Sequence, residues 1–157
     1  MKRTSAKIFW FLVPIGVLVL GDEWIKSLAL KRLPPEESLV DPGLLALAIH
    51  KNWGIAFDIP FKLGFVIFIS ILIGIGLLHM AYKHAATRPQ ISFAALTIII
   101  GAIGNIYDRI AYGFTVDYMI WFGRSALNLS DLVIILGVVL LLIFSRRKKS
   151  LSYRSIE

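Results

Sequence analysis

Apolar residues are not spread along this chain at a helix or strand period. They fall into four long blocks with polar stretches between them. Blocks of this kind, about 20 residues each, are what a bilayer core of about 30 Å demands of a helix. The pattern predicts four transmembrane helices at about 8–27, 62–82, 91–110 and 127–145. The first block is the shortest. Its 13 apolar residues, 8–20, reach only about 20 Å at 1.5 Å per residue, so the first helix is expected to run on through Asp22 to about Ser27. That places Asp22 and Lys26 four apart on one face, where they can pair. The basic start followed by an apolar run imitates a secretory signal, but no small-residue cleavage site follows.

Between the first and second helices, Pro34-Pro35, Asp41-Pro42-Gly43 and Asn52-Trp53-Gly54 are turn signals. The apolar run 44–49 is too short to span, so strands are expected here, forming a small sheet on the membrane. The second helix carries Gly64, Gly74 and Gly76, which are expected to allow close helix contacts. Between the third and fourth helices lie a Gly113 turn and a strand-like segment, Phe114-Thr-Val-Asp-Tyr118. Trp53, Phe57 and Trp121-Phe122 suit the headgroup level. The fold class is an all-α polytopic membrane protein, a single domain with a small extracytoplasmic β-containing segment between helices 1 and 2.

Charge sets the expected orientation. Ten of the 17 Lys and Arg (positions 2, 3, 7, 83, 88, 146–149 and 154) fall on one side, which the positive-inside bias makes cytoplasmic. Both termini are then cytoplasmic. A net charge of +7 placed this way suits anionic lipid, and nucleic acid is not expected. The chain has no cysteine, which excludes disulfides and thiol chemistry. Its three histidines are scattered, so no metal site and no cofactor are expected.

Nine of the ten acids gather on the outer side or in the outer half of the spans. Counting back from Arg146 puts Asp131 about four residues inside the fourth helix, roughly 6 Å deep, with Asp117 near the same level. Two carboxylates close together at low dielectric cannot both ionise easily. One proton shared by such a pair suits hydrolysis of a peptide bond: the ionised acid takes a proton from water and the protonated acid polarises the carbonyl. A serine–lysine dyad is the main competitor, but no buried lysine is evidently placed to activate Ser27, Ser70, Ser92, Ser125 or Ser130. Taken singly, each residue has a plainer reading. Asn128, Ser130 or Asp131 could cap a helix, Asp108 with Arg109 could be an ion pair, and Asn52 with Gly54 could be a turn. Those readings do not explain why the acids collect at one membrane face.

Five blocks in order resemble lipoprotein signal peptidase, or signal peptidase II: Asp22-x-x-x-Lys26, Asn52-x-Gly54-x-Ala56-Phe57, Gly104-Asn105-x-x-Asp108-Arg109, Val116-Asp117 and Asn128-x-x-Asp131. The resemblance implies an intramembrane aspartyl endopeptidase of the bacterial inner membrane. It would remove the signal peptide of prolipoproteins on the amino side of a diacylglyceryl-modified cysteine, without metal or cofactor. It implies Asp117 and Asp131 as catalytic. Asp22, Lys26, Asn52, Gly54, Ala56, Asn105, Asp108, Arg109 and Asn128 would bind substrate or shape the site. The partners implied are the prolipoprotein and membrane lipid, and the chain is expected to be a monomer with its site near the outer leaflet. Three features depart from the family pattern. Ala102 replaces a glycine. Leu127 and Ser130 replace phenylalanine and alanine in the last block. The two aspartates are only 14 apart. Ser130 is expected to hydrogen-bond Asp131. The alternatives are a small transporter or channel subunit with Asp108, Asp117 and Asp131 as an ion path, and a catalytically inactive lipid-binding relative.

Overall fold

The computed structural model describes residues 7–41, 43–54 and 62–153, with side chains up to Arg146. Ala56 and Phe57 lie outside the described residues. A 3-10 turn, Ile8–Phe11, leads into helix α1, Leu12–Arg32. A second short turn, Glu36–Ser38, precedes strand β1, Leu45–Asn52. Helices α2, Leu63–His84, and α3, Pro89–Tyr112, follow. Strands β2, Thr115–Trp121, and β3, Ser125–Leu127, lead into helix α4, Leu129–Tyr153. Four helical stretches, 8–32, 63–84, 89–112 and 129–146, are long and apolar enough to cross a membrane. The chain is an all-α membrane protein with a small sheet.

Helix α3 is the centre of the bundle. In its most apolar window 56% of residues are buried, against 6–17% in the other three spans. Its ends are written locally. Pro89 opens it, where a missing N–H costs nothing, and Gly113 closes it at φ 84°, a left-handed conformation that suits glycine. Close packing of α3 on α4 rests on three glycines. A Cβ at Gly101 would sit 2.8 Å from the Ser130 carbonyl oxygen. One at Gly104 would sit 2.5 Å from Ser130 Oγ, and one at Gly137 2.6 Å from Ile98. Those separations leave no room for a side chain, so the helix backbones meet directly. The glycines of α2 behave otherwise. Gly64, Gly74 and Gly76 face open space, with nothing within 4 Å of an added Cβ, which corrects the expectation that they mediate close packing. Helix α2 packs chiefly on α3 and leaves Phe68, Ile71, Leu72, Ile73, Ile75 and Leu78 exposed, as a lipid-facing helix must.

The sheet is antiparallel in the order β1-β2-β3. It joins a segment before α2 to one after α3, so it is not confined to the loop between the first two helices. A bulge between Leu47 and His50 turns both Ala48 and Ile49 inward. Helix α1 carries the sheet. It runs to Arg32, further than Ser27, and its Ala29 packs with Ile49, Val116 and Tyr118 in a second small core. The first core, around Ile15, Val19, Phe93 and Val133, lies lower between α1, α3 and α4. Burying Val116 and Tyr118 on one face of β2 turns Asp117 to the other, because side chains alternate along a strand.

Candidate active site

Asp117 stands on β2 and Asp131 in the first turn of α4. Asn128, at the junction of β3 and α4, joins them. Its amide Nδ2 donates to Asp117 Oδ1 at 2.7 Å, and its backbone N–H donates to Asp131 Oδ2 at 3.2 Å. Its side-chain oxygen accepts the Asp131 N–H at 2.9 Å, so Asn128 also caps the helix. Asn128 thus caps the helix and bridges the two acids at once. Asn105 on α3 donates to Asp131 Oδ1 at 2.7 Å and accepts from Asn128 Nδ2 at 3.1 Å. Asn52, at the end of β1, donates to Asp117 Oδ2 at 3.1 Å. Each carboxylate thus accepts two N–H donors, one on each oxygen.

Hydrogen bonding does not tell the two acids apart, but burial does. Asp117 is 1% exposed, while Asp131 keeps partial access to its surroundings. Burial, followed by the repulsion of Asp131, pushes the Asp117 carboxyl up to about 8, against the pull of the Asn52 and Asn128 amides.

Arg109 closes one flank. Its guanidinium donates to the Gly54 carbonyl at 2.9 Å and to the Asn105 carbonyl at 3.2 Å. Asn52 Oδ1 accepts the Gly54 N–H at 3.1 Å, forming an Asx turn. The motif around Asn52 and Gly54 is therefore both a turn and the tie that brings Arg109 over α3 to β1.

A second cluster lies behind the acids, with Lys26 at its centre and wholly buried. Its ammonium meets Asp108 Oδ2 at 2.8 Å, Glu23 Oε1 at 2.9 Å and Asp22 Oδ2 at 3.3 Å. Asp108 also accepts the Val116 N–H at 3.1 Å, one residue before Asp117. The pairing of Asp22 with Lys26 follows the spacing. The partner of Asp108 does not, since it is Lys26 and not the adjacent Arg109. The Lys26 ammonium is surrounded by three carboxylates. Asp22 accepts from Ser130 Oγ at 2.6 Å, Ser130 N at 2.9 Å, Leu129 N at 3.3 Å and the Tyr118 hydroxyl at 2.8 Å. The Ser130 hydroxyl therefore turns to Asp22 and not to Asp131, because the helix N-terminus points that side of the residue at α1. Sequence reasoning passed over Glu23 and Tyr118. Glu23 carried a signal, a second acid within the apolar reach of α1, whereas Tyr118 reads as an ordinary strand aromatic.

Comparison with known proteins identifies the family. The family described as Signal peptidase (SPase) II matches residues 14–147. A lipoprotein signal peptidase of Synechococcus sp. (strain RCC307) is 35% identical over 153 residues, covering 92% of this chain and 99% of that protein. One from Clostridium tetani (strain Massachusetts / E88) is also 35% identical over 153 residues, covering 90% and 97%. A solved structure titled as a bacterial membrane enzyme at 2.3 Å resolution superposes with a TM-score of 0.77 at 28% identity, covering 88% of each chain. The chain belongs to the signal peptidase II family.

Proposed function

We propose that this member of the signal peptidase II family is an aspartyl endopeptidase that removes signal peptides from prolipoproteins, with Asp117 and Asp131 as its dyad. The relatives bear the name lipoprotein signal peptidase. The observation that carries the mechanism is Asn128, whose side-chain amide binds one acid and whose backbone N–H binds the other. That arrangement ties two carboxyl groups from different elements through one residue, and the repulsion Asp131 exerts on Asp117 supports their acting as a pair.

In this reading Asp117, the more buried acid, holds the proton at neutral pH. Asp131 takes a proton from a water molecule as its oxygen attacks the scissile carbonyl carbon, and the Asp117 proton passes to the carbonyl oxygen. The resulting gem-diol collapses when Asp131 returns its proton to the departing amide nitrogen and Asp117 recovers one from the diol. No covalent intermediate forms. Asn52, Asn105 and Asn128 hold both acids in place. Arg109 and Gly54 flank the dyad and offer backbone and guanidinium groups for an extended peptide. Ala56 belongs with them by its position in the motif. Asp22, Lys26 and Asp108 set the elements that carry the acids.

The acids would lie near the outer leaflet of the bacterial inner membrane, with both termini cytoplasmic and the enzyme acting as a monomer. The cut would fall on the amino side of the diacylglyceryl cysteine, whose acyl chains remain in the bilayer while the peptide reaches the dyad laterally. A transporter or channel reading has lost its ground now that the family is known. The test is a gel-shift cleavage assay of purified protein on a prolipoprotein with and without its diacylglyceryl group, beside Asp117→Asn and Asp131→Asn. Cleavage of the lipidated form alone, abolished in both variants, is expected. Cleavage surviving either substitution overturns the dyad.

A further inference from the structure

Asp22 occupies an unusual position. It lies on α1, carries no catalytic proton in the proposed reaction, and is wholly buried. Yet it binds the residue that follows one acid of the dyad and the two residues that precede the other. The Tyr118 hydroxyl, next to Asp117, donates to Asp22 Oδ1 at 2.8 Å. Leu129 N donates to Oδ1 at 3.3 Å, while Ser130 N and Ser130 Oγ donate to Oδ2 at 2.9 and 2.6 Å, just before Asp131. With Lys26 at 3.3 Å, one carboxylate collects donors from β2, α4 and its own helix.

Two of these donors are side-chain hydroxyls, and the packing around each is specific. Tyr118 is 5% exposed, and its ring lies in the core with Ala29, Ile49 and Val116. Burial and the nearby Asp22 carboxylate hold its phenol well above the usual range, so it stays a donor. Ser130 Oγ occupies the space that a side chain at residue 104 would need, since a Cβ there would come within 2.5 Å of it. Both hydroxyls are thus aimed at Asp22 by packing that leaves them little alternative. A buried carboxylate with its acceptor positions filled is a rigid joint, because losing any donor leaves charge unmatched at low dielectric.

We infer that Tyr118 and Ser130 are positioning residues for the hydrolytic step, acting through the shared carboxylate of Asp22 to fix β2 against the first turn of α4 and so set one dyad acid relative to the other. This rests on the assignment of Asp117 and Asp131 as the dyad. The two hydroxyls bind different oxygens of one carboxylate, so their contributions are coupled even though the residues stand on separate elements.

The experiment is a double-mutant cycle of Tyr118→Phe and Ser130→Ala, each of which deletes one oxygen atom. Steady-state cleavage of a diacylglyceryl prolipoprotein is followed in detergent, and each variant is shown folded by its tryptophan fluorescence melt. Each single variant is expected to lower kcat by about tenfold, with KM changed less than about twofold, as a loss confined to the transition state requires. The double variant should fall well short of the product of the two losses, since either change already loosens the joint. Should Tyr118→Phe not fold, Ser130→Ala carries the test through the same split between kcat and KM. Singles within about twofold of the parent kcat, losses that appear only in KM, or strictly multiplicative losses would overturn the inference. Asp117→Asn and Asp131→Asn run alongside. Activity surviving in them would mark a failure of the dyad, not of the joint.

Discussion

Replacing Asp117 by asparagine should reverse the order of stability of the two proteins between acid and alkaline pH. In the folded chain the Asp117 carboxyl is raised from 3.8 to about 8, chiefly by burial. The folded state therefore binds this proton more tightly than the unfolded state. The resulting stability is fully present below about pH 4 and is lost as pH rises through about 8. Over that window the parent should lose about 1.4 kcal/mol of unfolding free energy per pH unit, or on the order of 5 kcal/mol in all. An asparagine amide cannot titrate, so that slope vanishes in the variant. The substitution has its own cost. Both Asp117 oxygens accept N–H groups, from Asn128 and Asn52. A protonated carboxyl can give its hydrogen elsewhere and still accept on that oxygen, whereas an amide NH2 facing a donor cannot. One mismatched buried donor costs about 1–3 kcal/mol. The variant should thus melt below the parent near about pH 4, cross it at about pH 4.5–6, and melt above it near about pH 8.5. Unfolding in detergent, followed by tryptophan fluorescence across a pH series, reads this directly. Parallel profiles for the two proteins would refute the claim that Asp117 carries the raised proton.

The same titration sets an upper limb on activity. The pH profile of kcat/KM should fall as pH rises through about 8, where Asp117 loses the proton that polarises the carbonyl; a profile that stays flat well beyond that point would contradict the assignment. Removing the bridge in Asn128→Ala should lower kcat by about a hundredfold or more, given the cost of misplacing catalytic groups, measured by single-turnover cleavage of lipidated substrate. Lys26→Met leaves two buried carboxylates and a partly exposed third around an apolar chain and should destabilise the protein by about 3–5 kcal/mol, visible as a collapse in folded yield. Gly104→Ala must displace Ser130 Oγ, which lies 2.5 Å from the new Cβ, and should lower the melting temperature through a loss of about 1–3 kcal/mol.

Much of this protein is legible in its amino-acid order. Four apolar blocks, the first extended through Asp22, dictate four long helices, since backbone polar groups in a bilayer must be satisfied within the segment. Acids that recur at one end of those runs mark the candidate site, because the cost of placing them there is high whatever the fold. The i, i+4 spacing of Asp22 and Lys26 announces their contact, because helix geometry alone decides it.

Only the tertiary structure decides which groups meet across elements. Arg109 reaches the Gly54 carbonyl while its neighbour Asp108 binds Lys26. Ser130 turns from the adjacent Asp131 to Asp22, 108 residues away in the chain. The sheet draws one strand from before α2 and two from after α3. Glycines of identical local appearance divide, with Gly101 and Gly104 at a helix contact and Gly74 and Gly76 facing outward. Even the difference in cover between Asp117 and Asp131 exists only in the packed chain. The reason is the same throughout. Apolar patterning records whether a residue faces oil or water, a property of its own segment. Pairing, close approach and desolvation depend on distances between segments, which exist only once the helices have packed.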